Sequence, residues 1–257
     1  MIDRIFHWIG SVIQGTPIEP FLDRIFYIVV GPRKVSTTVG DYTGTFSAQS
    51  SREYHGVQTL DDEKSITETF LSHLSEDDVV WDVGANVGWH AILMGKIALT
   101  VAFEPNPRSF SKLHRNICLN PTSDVVPICA GIGSTDGNGA TLTTGIGEGA
   151  GAAVTSTSNS DTDESQSAIV IGGQSDPPVL TSPDAVKIDV QGLESEVLTS
   201  FGEQLGSVRL LMIEYHKGRI GGNWTAEQLH QFVCNTGFSV VETQSRRGDV
   251  IRIYERI

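Results

Sequence analysis

Residues 79–107, VVWDVGANVGWHAILMGKIALTVAFEPNP, constrain the fold more than any other stretch. Val79 to Val83 is mostly β-branched and apolar, as a strand covered on both faces should be. Gly84 and Gly88 in the following D-V-G-A-N-V-G run let the backbone turn tightly and approach a ligand closely. A helix is expected from about Trp89 to Leu99, with its free N–H groups facing that turn. A second strand, Thr100 to Phe103, ends at Glu104. This strand, glycine turn, helix, strand and acid form one half of a doubly wound parallel sheet. In such sheets, nucleotide-type cofactors bind at the carboxyl ends of the strands.

The cofactor follows from the glycine spacing. A dinucleotide site uses G-x-G-x-x-G/A, and here Ala85 and Asn86 follow the first glycine. G-x-N-x-G preceded by Asp82 fits S-adenosylmethionine (SAM) better. Glu104 is placed to take two ribose hydroxyls. The expected cofactor residues are Asp82, Gly84, Asn86, Gly88, Glu104 and Asn106. A glycine turn that only serves packing is the plainer alternative.

Two further strands carry charges where a buried parallel strand should be apolar. Lys187 and Asp189 lie in Ala185 to Val190, and Glu214 and His216 in Leu210 to His216. At a spacing of two, each pair shares one face of its strand. Buried charges are costly unless they pair or face a site. Lys187, Asp189, Glu214 and His216 therefore form the candidate catalytic group. In that reading His216 or Asp189 is the general base, Glu214 orients the imidazole and Lys187 steadies a developing alkoxide. The plainer reading is a Lys187–Asp189 ion pair and a structural Glu214–His216 contact.

Four blocks in order, DVGANVGWHAIL, VAFEPNPRSFSKLHRNICLN, VKIDVQGLESEVL and LLMIEYH, resemble the FkbM family of SAM-dependent methyltransferases. The resemblance covers about residues 66 to 216. It implies a class I methyltransferase fold: a mostly parallel seven-stranded α/β sheet with one reversed strand. It also implies O-methylation of a hydroxyl, with a sugar or glycan as the expected acceptor. Gln191 stands where the family usually has an acid, which weakens any metal held there. No metal site is expected. The alternatives are a SAM-binding protein without catalysis and an NAD-dependent oxidoreductase on the same sheet. The second lacks a Tyr-x-x-x-Lys pair.

Composition narrows the setting. Net charge is −13, with only six lysines, which suggests salt adaptation. Nucleic acid and anionic membranes favour basic patches, so neither is an expected partner. Cys118, Cys129 and Cys234 are too sparse for a disulfide framework or zinc site, and a reducing cytoplasm is expected. No stretch approaches the ~20 apolar residues of a membrane span, and the first residues do not read as a signal peptide.

Two parts are expected, an extension over 1–64 and a methyltransferase domain over 65–257. The extension holds an amphipathic helix built on Ile2, Ile5, Phe6, Ile9, Val12 and Ile13, which covers the core or a second subunit; a homodimer is possible. A hairpin follows over 35–46. Ser65 with Glu68 reads as a capping box for a helix from Ser65 to Leu74. Residues 133–168, rich in Gly, Ser, Thr and Asp, read as a loop or irregular hairpin insertion. Asp176-Pro177-Pro178 reads as a turn. The chain ends in a helix capped by Thr225 and a hairpin supplying the reversed edge strand, with Arg246 and Arg247 at its solvated tip.

Overall fold

In a computed structural model of the chain, the described residues are 31–133, 140–143, 153–155, 165–168, 170–172, 181–216, 224–246 and 248–257. The expected N-terminal amphipathic helix, the Asp176–Pro178 turn and Arg247 lie outside them.

The strands over Val79–Val83 (β3), Leu99–Phe103 (β4), Val125–Ile128 (β5), Ala185–Ile188 (β11), Leu210–Tyr215 (β12), Phe238–Arg246 (β13) and Asp249–Arg256 (β14) form one seven-stranded sheet. Its order is β13-β14-β12-β11-β3-β4-β5. Only β14 runs against its neighbours, pairing antiparallel with both β12 and β13. The reversed strand is therefore second from the edge, not at the edge as expected. Burial explains the choice: Ile251, Ile253 and Tyr254 of β14 are buried, whereas most of β13 is exposed or half-exposed.

Strand alternation sorts the side chains between two layers. Trp81, Val83, Val186, Ile188, Leu211, Ile213 and Tyr215 face one layer. There they meet Val197 and Leu198 of a helix over Glu194–Ser200 (α5), and Leu229 and Val233 of another over Ala226–Asn235 (α6). Val80, Ala185, Leu210 and Met212 face the opposite layer. They pack on Ile66, Phe70 and Leu71 of Lys64–Ser72 (α2) and on Leu93 and Met94 of Trp89–Met94 (α3). Asp82, Lys187 and Glu214 have the parity of this second layer, so all three charges enter the same side of the sheet.

The hairpin forms as expected, slightly longer, from Arg33–Val39 (β1) and Tyr42–Ala48 (β2) joined through Gly40 and Asp41. A helix over Ser51–Thr59 (α1), absent from the sequence reading, follows it. Ser50 caps α1 by accepting the Glu53 N–H. The capping box expected at Ser65 does not form: α2 begins at Lys64 after Glu63, with no side-chain cap. Glu68 is exposed and lies beside the Gly40 turn.

Two buried asparagines of the helix Pro107–Cys118 (α4) and its end tie the hairpin to the sheet domain. Asn116 accepts the Ser47 N–H at 2.8 Å and donates to the Val87 carbonyl at 2.8 Å. Asn120 accepts the Thr45 N–H at 2.9 Å and donates back to the Thr45 carbonyl. The stretch 133–168 holds strands rather than loop alone: Ala140–Thr143 (β7), Ala153–Thr155 (β8) and Ser165–Ala168 (β9) make a small antiparallel sheet. Gly131–Gly133 (β6) pairs in parallel with Val170–Gly172 (β10). Among the described residues, no helix is long and apolar enough to cross a membrane.

Candidate active site

The turn after β3 is held by main-chain bonds to the end of β4. Gly84 and Ala85 donate to the Phe103 carbonyl at 3.0 and 2.9 Å. Gly84, Asn86 and Gly88 all have positive φ, at 83°, 50° and 88°. Glycine takes that region freely and asparagine tolerates it. At Gly84 space also forbids a side chain, because a Cβ would come within 1.9 Å of the Asp189 carbonyl oxygen.

Glu104 closes the turn from the other side. Its Oε2 accepts the Asn86 N–H at 2.8 Å and its Oε1 the Asn106 N–H at 2.7 Å. Burial pushes its pKa up to about 7, against the pull of those two N–H groups. The Asn106 side chain caps α4, accepting the Arg108 N–H at 2.9 Å. Asp82 differs from its expected role. It is fully buried and its carboxylate accepts from Lys187 Nζ at 3.1 Å, so it has no surface in the crevice. These groups fit the expected cofactor in two respects: a close backbone approach at the glycines, and a carboxylate with lone pairs left for hydroxyls.

The acceptor-side charges converge at the ends of β11 and β12. Lys187 Nζ bridges Asp82 at 3.1 Å and Asp189 at 3.7 Å. Burial alone would pull the Lys187 pKa down, but the two carboxylates outweigh it and hold the ammonium charged. His216 Nε2 is 3.7 Å from both Asp189 Oδ1 and Glu214 Oε1. Burial opposes its charged form, yet the Glu194, Asp189 and Glu214 carboxylates raise its pKa to about 9. Burial and neighbouring carboxylates push Glu214 up to about 7, with Arg246 pulling the other way.

Three residues that the sequence reading did not assign complete the group. Glu194 is fully buried, and its Oε1 pairs with His216 Nδ1 at 2.8 Å and accepts the Gly192 N–H at 2.9 Å. Glu194, not Glu214, thus holds the imidazole. Arg246 is not at a solvated tip. β13 extends through it, and its guanidinium bridges Glu63 at 2.8 Å and Glu214 at 3.0 Å. Glu63 in turn meets His90 at 3.2 Å. The signal available in sequence was the acid of Gly192-Leu193-Glu194, directly after a charged strand.

Side-chain exposure separates the four expected catalytic residues. Asp189 is 23% exposed, against 4% for Lys187, 5% for His216 and 6% for Glu214. Asp189 Oδ1 is buried, with no hydrogen-bond partner among the described residues. Ligand-type atoms of Asp189, Glu214 and His216 all lie within 4.8 Å of one another.

Known proteins align with this arrangement. The methyltransferase FkbM domain model matches residues 82–240. The hexuronic acid methyltransferase AglP of Haloferax volcanii is 33% identical over 181 residues, 70% of this chain and 73% of that protein. Among solved structures, an rRNA methylase from Streptococcus thermophilus is 10% identical, with a TM-score of 0.48 over 76% of this chain and 95% of that one. The magnesium protoporphyrin IX methyltransferase of Synechocystis PCC 6803, solved with bound SAM, is 14% identical, with a TM-score of 0.47 over 75% of this chain and 77% of that one. The match of the family model over the sheet's central and acceptor-side strands, together with the relative's coverage, establishes that the chain belongs to the FkbM family of methyltransferases.

Proposed function

We propose that this chain methylates a hydroxyl of a sugar, with a hexuronic acid or a glycan carrying one as the acceptor. The observation that carries the reading is the contact between the two halves of the crevice. The Gly84 turn, where the cofactor is read to sit, touches the main chain of Asp189. Asp189 is also the most exposed of the four acceptor-side side chains. The hexuronic acid methyltransferase relative supplies the sugar class.

SAM, when bound, supplies an electrophilic methyl group on a sulfonium. The chain's own residues do the rest. Glu104 takes the ribose hydroxyls, and the Gly84–Gly88 turn approaches the cofactor with main chain. Asp189 accepts the proton of the acceptor hydroxyl as the new C–O bond forms. Its greater side-chain exposure favours it over His216, whose Nδ1 is held by Glu194. Lys187 neutralises the floor beneath Asp82 and Asp189. Positioning of hydroxyl and methyl supplies much of the acceleration.

The test is methyl transfer to glucuronic or galacturonic acid glycosides, followed by mass spectrometry for the gain of one methyl group. Asp189→Ala should lose about 10²- to 10⁴-fold in turnover while retaining the SAM-induced thermal shift. Unchanged turnover would remove Asp189 as the base. Tight SAM binding with no transfer to any uronic acid or neutral sugar would favour a SAM-binding protein without catalysis. Membership of a methyltransferase family leaves the dehydrogenase alternative without support.

A further inference from the structure

We propose that His216 Nε2, with one oxygen each from Asp189 and Glu214, holds a divalent cation of the manganese or zinc class in the acceptor half of the crevice. The inference rests on reading that crevice as the place where the acceptor hydroxyl meets the methyl group. Three observations carry it.

The first is geometric. Nε2 lies 3.7 Å from Asp189 Oδ1 and 3.7 Å from Glu214 Oε1, and one ligand-type atom from each residue falls within 4.8 Å of the others. Donors ~2.1 Å from one small cation sit about 3–3.5 Å apart. The two histidine distances need a contraction of a few tenths of an ångström, and the Asp189–Glu214 pair, within 4.8 Å, needs a larger one of up to about 1–2 Å.

The second is the support behind the histidine. Nδ1 pairs with Glu194 Oε1 at 2.8 Å, and Glu194 is completely buried. Metal-bound histidines almost always donate their second nitrogen to a carboxylate or carbonyl, which fixes the ring and its tautomer. Here Nδ1 is taken by Glu194, so the ring can meet a cation only through Nε2, which lies between two carboxylates and would give up its proton to the ion.

The third is charge. Asp82, Asp189, Glu194, Glu214 and Glu63 bring five carboxylates into the cluster, while among the described residues its permanent cations are Lys187 and Arg246. Lys187 lies nearer Asp82 than Asp189, and Arg246 is shared between Glu63 and Glu214. Asp189 Oδ1 and Glu194 Oε2 have no hydrogen-bond partners among the described residues. A cation between Asp189, Glu214 and His216 meets this excess where it is greatest. The mixed nitrogen and oxygen donor set favours a borderline ion over calcium or magnesium. With three protein ligands, positions remain open for a hydroxyl and a carboxylate oxygen of a uronic acid. Bound through one oxygen, Asp189 keeps its other for the hydroxyl proton.

The experiment is a titration of the chelator-stripped full chain with Mn²⁺, read by electron paramagnetic resonance. One Mn²⁺ per chain should bind. His216→Ala and Asp189→Asn should each weaken binding at least tenfold, and Glu194→Gln about 10- to 100-fold through loss of its support to the ring. The SAM-induced thermal shift, retained in each variant, certifies folding. Absence of Mn²⁺ binding, or binding undiminished in His216→Ala, would overturn the site. It would leave a protonated His216 as the cluster's own cation. Full methyl transfer by the stripped protein would overturn the metal inference alone. Stoichiometric Mn²⁺ binding without transfer to any sugar would overturn the acceptor reading alone.

Discussion

The two halves of the crevice are built differently. The cofactor half comes from one contiguous stretch, Gly84 to Asn106, and its contacts are largely main chain: Gly84, Ala85, Asn86 and Asn106 all donate backbone N–H groups. The acceptor half is made of side chains drawn from five separate segments, carrying Glu63, Asp189, Glu194, Glu214 with His216, and Arg246. A main-chain site tolerates little variation because glycine and turn geometry define it. A side-chain site can be rewritten one residue at a time.

Lys187 is where the halves meet below the surface, so its removal should have the largest effect. Lys187→Met leaves Asp82 buried without its cation, which costs about 3–5 kcal/mol. At 2–4 °C per kcal/mol that lowers the melting midpoint by roughly 10 °C. Pairing it with Asp82→Asn should recover much of the loss, measured by the same melts. If the single variant melts like the wild type, the buried pair is not what joins the two halves.

Glu104→Gln tests the cofactor half alone. It removes a charge-assisted acceptor of roughly 1.5–3 kcal/mol, so SAM affinity should fall about 10- to 100-fold by calorimetry. Mn²⁺ binding at the acceptor half should remain. Loss of both would erase the distinction between the halves.

The same carboxyl sets a pH dependence. Its pKa in the folded protein is raised from 4.5 to about 7. Between those values the folded chain holds a proton that the unfolded chain has lost. Its contribution to stability is present below about pH 4.5 and is lost as pH rises through 7. Ribose hydroxyls donate to the ionised form, so SAM affinity should instead rise as pH passes 7. Glu104→Gln should flatten that rise, as affinity measured from pH 5.5 to 8.5 will tell.

Asn120→Ala acts outside both halves and should do least. It leaves the Thr45 N–H and carbonyl without their partner, at about 1–3 kcal/mol. SAM affinity should change less than twofold. A large loss of SAM binding would make the hairpin part of the cofactor site.

Legibility in the sequence follows the same division. The sheet could be read because its central strands are continuous apolar runs, and the cofactor turn because glycine at positive φ leaves a sequence mark. Arg246 could not be read, since its place depends on how far β13 runs before turning. Glu194 could not be read either, since its partner His216 lies two elements away. A cap at Ser50 and Glu53 was present in the sequence, but α1 was missed because Ser51–Thr59 has few apolar residues. At Ser65 the same pattern was present and the helix began one residue earlier, at Lys64.

The packing of Gly84 against the Asp189 carbonyl has a consequence for how such an enzyme can diversify. In the proposed reading, the span from methyl donor to acceptor is framed by two stretches of backbone, at Gly84 and Asp189, packed too closely to admit a side chain at Gly84. Mutations that retune which sugar is taken can accumulate around the acceptor half without altering that span. Acceptor preference and reaction geometry can then evolve as separate traits within one crevice.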